Sequence, residues 1–214
     1  WIQMADGRVF SAEVPPKEVE RMEKIARQAL SEGISRQISV AAPDHPERMK
    51  HAYFLQIEAP PSSLVIVGAG HITIPLVQIA RVMGFQSTVV DPRRLFASTE
   101  RFPAVKNLLQ VWPEEAFSRL KINRQTAVVV LTHDPKIDDP AIIQALQTEA
   151  FYIGALGSKR THKKRAQRLR DAGIPGELIQ SIHAPIGLDL GGNSAEEIAL
   201  AIMAEVVKVQ HQSD

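Results

Sequence analysis

The sequence predicts an α/β protein: a Rossmann-like, doubly wound parallel sheet preceded by a small α+β N-terminal segment. Three observations lead to this prediction. An apolar run from Leu64 leads into Gly68 and Gly70 and then into a stretch with helical periodicity. A second strand-like run ends at Asp91, about twenty residues on, where such a unit places its acidic residue. Strands and helices then alternate, as parallel strands with helical crossovers require.

We expect two parts, residues 1–60 and residues 61–214. In the first, apolar residues at helical spacing run from Val19 to Leu30 and predict one helix. Two short strands follow, at residues 37–41 and 53–58, before a proline-rich linker. This first part is therefore predicted to be a small or truncated domain, or an arm that packs on a neighbour.

In the second part, the first helix follows Gly70 and ends at Gly84, a residue suited to a helix C-terminus. The pair Asp139-Pro140 predicts the start of another helix. A charged helix is expected from Ser158 to Asp171, and a capping box at residues 194–197 opens the last helix. The predicted strands are Leu64 to Val67, Ser87 to Val90, Leu108 to Val111, Thr126 to Leu131 and Phe151 to Ile153.

Composition excludes several kinds of function. A formal net charge of +1 gives no general attraction to nucleic acid or to membranes. The absence of cysteine excludes disulfides, thiolate metal ligands and a cysteine nucleophile. No apolar run is long enough to span a bilayer and no signal peptide is visible, so we predict a cytoplasmic protein. Because the chain begins with Trp1 rather than Met, we expect that it is trimmed or incomplete.

The strand ends locate the predicted binding site, because open parallel sheets bind ligands beyond their carboxyl ends. Gly68 permits a tight turn, Gly70 allows close approach to the backbone, and the following helix N-terminus favours a phosphate. Asp91 is placed to accept hydrogen bonds from ribose hydroxyls, although a turn or capping role is an alternative. Arg93 is suited to a phosphate. His71, at the helix start, is either a ligand contact or a packing residue.

Two further turns face the same edge. Thr132, His133 and Asp134 follow one strand, and ligand positioning is favoured over general acid or base catalysis by His133, a weak candidate. Gly154, Gly157, Ser158 and Lys159 form a predicted second anion site, with helix capping by Ser158 as the alternative. The predicted cofactor-binding residues are Gly68, Gly70, His71, Asp91, Arg93, Thr132, His133, Asp134, Gly154, Gly157, Ser158 and Lys159. No metal site and no established catalytic residue is predicted.

The helix after Ser158 is strongly basic and is predicted either to bind an acidic partner or to form an ordinary exposed face. We expect charge reversal at Lys163, Lys164 and Arg165 to weaken partner docking without unfolding the chain. The apolar last helix, from Ala195 to Val209, is either a homodimer surface or part of the core. The basic residues are Lys159, Arg160, Lys163, Lys164, Arg165, Arg168 and Arg170.

Seven motifs in order and spacing resemble the XdhC/CoxI family, the xanthine dehydrogenase accessory factors. The motifs are Gly68-Ala-Gly-His71, Asp91-Pro-Arg93, Arg101-Phe-Pro103, Thr132-His-Asp134, Tyr152-Ile-Gly-Ala-Leu-Gly-Ser158, Pro185-Ile-Gly-Leu188 and Glu196-Glu-Ile198. The resemblance implies a Rossmann-type domain that binds the molybdenum cofactor, protects it and helps to deliver its sulfurated form to an apoenzyme. Fuller family members resemble a two-domain plan, often with a cysteine in the N-terminal domain, and this sequence has no cysteine.

The resemblance therefore implies a non-catalytic maturation protein for a xanthine dehydrogenase-type molybdenum hydroxylase. Its implied partners are the hydroxylase apoenzyme, a cysteine desulfurase and a second copy of the chain. Two alternatives stay open at this point: an NAD(P)-dependent oxidoreductase, and a nucleotide-sensing module that binds an adenine nucleotide without chemistry. Against the oxidoreductase, the sheet domain leaves little chain for a substrate domain. Neither Tyr53 nor Tyr152 has a lysine four residues on.

Overall fold

The structure is a computed structural model that describes residues 2–3, 9–10, 23–29, 35–41, 50–56, 61–103, 105 and 107–212. The chain divides into two compact units, Trp1–Pro60 and Pro61–Asp214.

In the first unit, two antiparallel pairs of strands are formed. Strand β1 (Ile2–Gln3) pairs with β2 (Val9–Phe10), and β3 (Arg36–Ala41) pairs with β4 (Lys50–Leu55). Helix α1 covers residues 23–29, and its Ala26 and Ala29 pack with Leu55 in a small core. The helix and both predicted strands are thus present, although β4 begins earlier than expected. The rest of the predicted helix lies outside the described residues.

The second unit is built on a five-stranded sheet in which all strands are parallel, in the order β7-β6-β5-β8-β9. The order changes direction at β5, which has β6 on one side and β8 on the other, as in a Rossmann fold. The strands are β5 (Ser63–Val67), β6 (Gln86–Val90), β7 (Asn107–Leu109), β8 (Thr126–Val130) and β9 (Tyr152–Ala155). The helices are α2 (Thr73–Val82), α3 (Pro113–Arg119), α4 (Pro135–Leu146), α5 (Lys159–Asp171), α6 (Gly176–Gln180) and α7 (Ala195–Gln210).

Helices cover both faces of this sheet because its central strands are apolar on both sides. In β5, Leu64 and Ile66 face a core that also contains residues of α2 and α7. Val65 and Val67 point the other way, into a core shared with α3, α4 and α5. All five residues of β8 are buried, which is the pattern of a central parallel strand. The predicted doubly wound fold is confirmed.

The main errors in the predicted elements concern helix starts. Helix α4 begins at Pro135, five residues before Pro140, which lies inside the helix. The reason is that Asp134-Pro135 is an equivalent start signal: the Asp134 carboxylate accepts the N–H of Lys136 at 3.0 Å. Asp139 instead forms an ion pair with Arg168. Helices α3 and α6 were not predicted, whereas the capping box between Ser194 and Glu197 is confirmed.

Helix α7 is part of the core of this unit. Its buried residues Ala199, Ile202 and Val206 belong to the same hydrophobic cluster as Leu76 of α2. Core packing therefore accounts for the apolar face of α7, and homodimerisation stays a prediction.

A partly buried polar cluster joins strand β9 to helix α7 and to the loop before it. The hydroxyl of Tyr152 donates to Oε2 of Glu205 at 2.6 Å, and the backbone N–H of Gly187 donates to the same oxygen at 2.7 Å. The His183 ring stacks on Tyr152 with centroids 4.5 Å apart. Burial and the adjacent Glu205 carboxylate raise the pKa of Tyr152, so the phenol stays a donor. These contacts give a structural role to Tyr152 and to the glycine-rich loop that follows Pro185.

Candidate functional site

The carboxyl ends of the central strands lie level with one another. Val67 of β5 is in register with Val90 of β6 and Val130 of β8, and Val130 is in register with Ala155 of β9. The turns that follow these strands therefore begin at one edge of the sheet. This is the edge at which the sequence predicted a binding site.

The turn after β5 has the conformation expected of a phosphate-binding loop. Gly68 has φ 113°, and a Cβ atom there would lie 2.7 Å from Cγ2 of Thr132, so only glycine fits. A Cβ atom at Gly70 would meet no atom within 4 Å, so the space above Gly70 is open. The N-cap of α2, Ile72, supplies no side-chain hydrogen bond to the first amides of the helix. Ile74 donates its N–H to the carbonyl oxygen of His71 at 3.3 Å and Pro75 has no N–H, so an anion here would meet the N–H of Thr73 and those of the preceding turn.

Thr73 takes the third glycine position of the dinucleotide-binding pattern. It is fully buried, and its hydroxyl donates to the carbonyl oxygen of Gly68 at 2.5 Å. This hydrogen bond from the Thr73 side chain holds the turn in place. In the dinucleotide-binding pattern, a glycine at this position instead allows the helix to pack closely on the strand.

Asp91 lies beside this turn and is fully buried. Its carboxylate accepts the N–H of Ala69 at 2.8 Å, the N–H of Arg93 at 3.0 Å, and two guanidinium N–H groups of Arg93 at 2.9 and 2.8 Å. Burial acts to raise the pKa of Asp91, but the hydrogen bonds from Arg93 and Ala69 together hold that pKa below its usual value. Asp91 thus fixes the glycine turn and orients Arg93, while its contact with a ribose stays a prediction.

Arg101 covers the same turn, and it was not among the predicted site residues. Its Nη1 donates to the carbonyl oxygens of Ala69 and Phe96, each at 2.8 Å. The Arg93 guanidinium lies 4.3 Å above the centre of the Phe96 ring. Two guanidinium groups therefore lie next to the glycine turn, and sequence spacing alone indicated only Arg93.

A second network joins the turns after β8 and β9. The hydroxyl of Thr132 donates to Oδ1 of Asp138 at 2.5 Å, and Nη2 of Arg165 lies 3.2 Å from Oδ2 of the same carboxylate. The same Nη2 donates to the carbonyl oxygen of Leu156 at 2.9 Å. Burial raises the pKa of Asp138 despite the hydrogen bond from Thr132 and the charge of Arg165. Because Gly68 packs on Thr132, this network also touches the glycine turn.

The predicted residues of these two turns have different surroundings. Asp134 caps α4, as described above, and Ser158 caps α5 by accepting the N–H of Thr161 at 3.1 Å, which was the alternative considered for Ser158. His71, His133 and Lys159 are exposed. His133 has φ 66°, in the left-handed region that few residues other than glycine adopt, and its catalytic role stays a prediction.

Gly154 was predicted in the turn after β9, and this placement is wrong, because the strand continues to Ala155. A Cβ atom at Gly154 would lie 2.6 Å from the Tyr152 hydroxyl and from Ile186, so glycine is required there by packing. Gly157 is in the turn, with φ 139°.

The basic helix α5 is not a uniformly exposed face, which corrects one expectation. Lys163 and Lys164 are exposed, but Arg165 is 1% exposed and paired with Asp138. Charge reversal at Arg165 would therefore place two carboxylates together in the interior and unfold the unit. A sequence signal existed: Arg165 precedes Ala166 and lies four residues before Leu169, on the apolar side of the helix.

The described part of the chain contains neither a cluster of metal-binding side chains nor a membrane-spanning helix. Within it, no group of three or more His, Asp or Glu side chains is arranged to hold a metal ion. Among the same residues, no helix has the length and apolar character needed to cross a membrane.

The parallel sheet, its reversal of strand order at β5 and the open glycine turn at its carboxyl edge define a Rossmann-type domain. A family model described as the XdhC Rossmann domain matches residues 64–206, and the chain belongs to this family. This finding confirms the family resemblance that the seven motifs indicated and the fold class that the alternation of strands and helices predicted.

Several relatives agree with this assignment. The chain is similar to a probable xanthine dehydrogenase subunit of Bacillus subtilis strain 168, with 29% identity over 177 residues, 83% of this chain and 51% of the relative. It is also similar to the molybdenum cofactor insertion chaperone PaoD of Escherichia coli K12, with 36% identity over 109 residues, 50% of this chain and 34% of PaoD. Identity with YqeB of Escherichia coli K12 is 29% over 161 residues, 75% of this chain and 29% of YqeB.

Among solved structures, the chain is similar to a xanthine dehydrogenase from Bacillus halodurans. The TM-score is 0.63 at 22% identity, with 92% of this chain and 66% of that chain covered. At this identity the likeness shows the shared fold. The chain spans about half the length, or less, of the curated relatives named above.

Proposed function

We propose that this chain binds the molybdenum cofactor and acts as a maturation protein for a xanthine dehydrogenase-type molybdenum hydroxylase. Membership of the XdhC Rossmann domain family and the similarity to PaoD support this proposal. The similarity to the probable xanthine dehydrogenase subunit of Bacillus subtilis agrees with it.

The observation that carries the proposal is the open glycine turn. The molybdenum cofactor contains a pterin with a phosphate, or a dinucleotide in some bacteria. The turn amides that precede Ile74 and the open space above Gly70 suit a phosphate or a diphosphate. Arg93 lies beside the turn, held in place by Asp91. The residues present therefore fit the phosphorylated part of the cofactor.

In this proposal, the amides of the turn bind the phosphorylated end, and Arg93 offers its remaining N–H capacity to the same group. Thr132 and His133 position the heterocycle from the neighbouring turn. The cofactor supplies molybdenum redox chemistry to the enzyme that receives it, whereas this chain binds, orients and shields it. The hydroxylase apoenzyme is the proposed partner, and a cysteine desulfurase, homodimerisation and a cytoplasmic location are further parts of the proposal.

The test compares ligands on the purified chain. Molybdenum cofactor released from a hydroxylase, NAD(H), NADP(H) and AMP are each incubated with the chain, and retention is measured after gel filtration. We expect retention of the pterin without nicotinamide binding. Nicotinamide binding with turnover of a reductant would instead indicate an oxidoreductase, and AMP binding without pterin retention would indicate a nucleotide sensor.

A matched pair of variants locates the site. Gly70→Ala places a methyl group in the open space above the turn, so we expect weaker cofactor binding with unchanged stability. Gly176→Ala is the control, because a Cβ atom there also meets nothing within 4 Å and Gly176 begins helix α6, away from the strand ends. Equal retention by both variants would remove the glycine turn from the site.

A further inference from the structure

A cavity of about 290 Å³ lies between helices α4 and α5, next to His133. Its volume is at the lower end of the range for small-molecule sites. It is lined by four cationic side chains, Arg160, Lys164, Arg165 and Arg168, and by the carboxylate of Asp138. Residues 160, 164 and 168 are spaced by four along α5, so they form one stripe on the side of the helix that faces α4.

Two of these four charges are balanced by ion pairs. Arg165 pairs with Asp138 at 3.2 Å, and Arg168 pairs with Asp139 through two hydrogen bonds, at 2.5 and 2.9 Å. Arg160 and Lys164 have no ion-pair partner among residues 61–103, 105 and 107–212 or the other described segments. The cavity therefore has a local excess of positive charge, although the whole chain is nearly neutral.

Arg165 supplies an independent indication of a ligand. Its side chain is 2% exposed, and its Nη2 is used by Asp138 and Leu156. Its Nε and Nη1 are buried and have no hydrogen-bond partner in the described part of the chain. Buried guanidinium N–H groups without an acceptor are costly, because each loses its hydration without replacement. Arg165 is part of the cavity lining, so an acceptor in the cavity would lie beside this guanidinium, and a small rotation of the side chain would bring Nε or Nη1 to it.

We propose that this cavity is a binding site for a phosphate group, with Arg165 at its base and Arg160 and Lys164 at its entrance. A phosphate is small enough to enter a cavity of about 290 Å³ that Arg165 lines, and its oxygens accept from several charged donors at once. The carboxylates of an acidic protein surface would meet only the exposed Arg160 and Lys164. The site differs from the glycine turn and from the predicted anion site at residues 154–159, since it lies on the face of α5 that contacts α4.

The phosphate has two sources, the free inorganic ion or the phosphate of a larger ligand. If the larger ligand is the molybdenum cofactor, this inference rests on the function proposed above. In that case the glycine turn and the cavity, joined through Thr132 and Asp138, would hold different parts of one ligand or the two ends of a dinucleotide form.

The test uses calorimetric titration of the full chain with inorganic phosphate, with AMP and with adenosine, which lacks the phosphate. Lys164→Gln removes an exposed cation from the cavity, and Lys163→Gln is the matched control on the same helix outside the cavity. We expect Lys164→Gln to weaken phosphate or AMP binding about tenfold, the effect of losing one charge-assisted hydrogen bond. Lys163→Gln should bind like the parent chain, and adenosine should not bind at the cavity.

Arg165→Lys keeps the charge beside Asp138 but removes the planar fork, so it should also weaken phosphate binding. A thermal melt of each variant checks folding, and if Arg165→Lys does not fold, the comparison of Lys164→Gln with Lys163→Gln decides the question. The proposal would be overturned if the parent chain bound neither phosphate nor AMP, or if Lys163→Gln and Lys164→Gln bound them equally. Preference for inorganic phosphate over AMP would identify the free ion as the source. If Lys164→Gln weakened the binding of an acidic peptide but phosphate had no effect, the assignment of the site to phosphate would be overturned.

Retention of the molybdenum cofactor by the same variants separates this inference from the proposed function. If the parent chain and Lys164→Gln retain the cofactor equally and neither phosphate nor AMP binds, the cavity fails while the maturation function stands. If phosphate binding depends on Lys164 but the cofactor is not retained by the parent chain, the maturation function fails while the phosphate site stands.

Discussion

Replacing Asp91 with alanine tests the view that this carboxylate holds the glycine turn in place. The substitution removes four hydrogen bonds, one from Ala69 and three from Arg93. Leaving the buried N–H of Ala69 without an acceptor costs about 1–3 kcal/mol. The Arg93 side chain is 35% exposed, so water can solvate the freed guanidinium. The loss of folding free energy is therefore smaller than for breaking a fully buried ion pair.

We therefore expect Asp91→Ala to lower the free energy of unfolding by about 3 kcal/mol. In a unit of this size that corresponds to a fall in melting temperature of roughly 6–12 °C. The assay is urea and thermal unfolding followed by circular dichroism. Arg94→Ala is the control, since Arg94 is an exposed neighbour in the same turn and should change stability by less than about 0.5 kcal/mol. A loss below about 1 kcal/mol for Asp91→Ala would refute the argument.

The same residue makes a prediction about pH. Because the pKa of Asp91 is lowered in the folded state, its ionised form stabilises the fold above the ordinary pKa of 3.8. This contribution should decline as the pH falls through the lowered pKa. The stability difference between the parent chain and Asp91→Asn should therefore shrink in acid, whereas a constant difference from neutral pH to below about pH 3 would contradict the assignment.

Three other substitutions test particular contacts, each by urea unfolding of the variant beside the parent chain. Gly68→Ala should destabilise by about 2 kcal/mol or more, because φ 113° and the contact with Thr132 both exclude a side chain, and near-parental stability would contradict this. Tyr152→Phe should cost about 2 kcal/mol, because the Glu205 carboxylate loses a charge-assisted donor at 2.6 Å; a change within experimental error would show that the hydroxyl is dispensable. Ser194→Ala should cost about 1 kcal/mol through loss of the capping box, and Ser194→Asp, which keeps an acceptor, should restore most of it.

Much of the fold followed from local signals. The apolar runs that became β5, β6 and β8 are largely buried, so their hydrophobicity alone marked them as central parallel strands. The capping box at Ser194 was equally clear, because both partners are close in sequence. Helix α4 was misplaced because two Asp-Pro pairs offer the same local signal. The second aspartate, Asp139, does not start a helix but pairs with Arg168, which is 29 positions away in the sequence.

The candidate site was predicted less completely, for a similar reason. The sequence indicated which turns meet at the sheet edge, because the ends of parallel strands must lie together. It gave no indication that Arg101 reaches back to Ala69, 32 positions away. From the sequence we expected the Asp91 carboxylate to be free to bind a ribose. In the fold, that carboxylate is instead surrounded by donors from Ala69 and Arg93.

By itself, the sequence determined the family, the five parallel strands with four of their helices, and the turns that form the edge, because these depend on neighbouring residues and on the periodicity of apolar side chains. The tertiary structure alone decided which polar groups are already paired and which remain available to a ligand. Hydrogen bonds between distant segments, such as Arg165 with Asp138 and Leu156, left Nε and Nη1 of that guanidinium without acceptors in the described part of the chain, beside a positively charged cavity. Such availability depends on distances in space, which no local pattern of residues specifies.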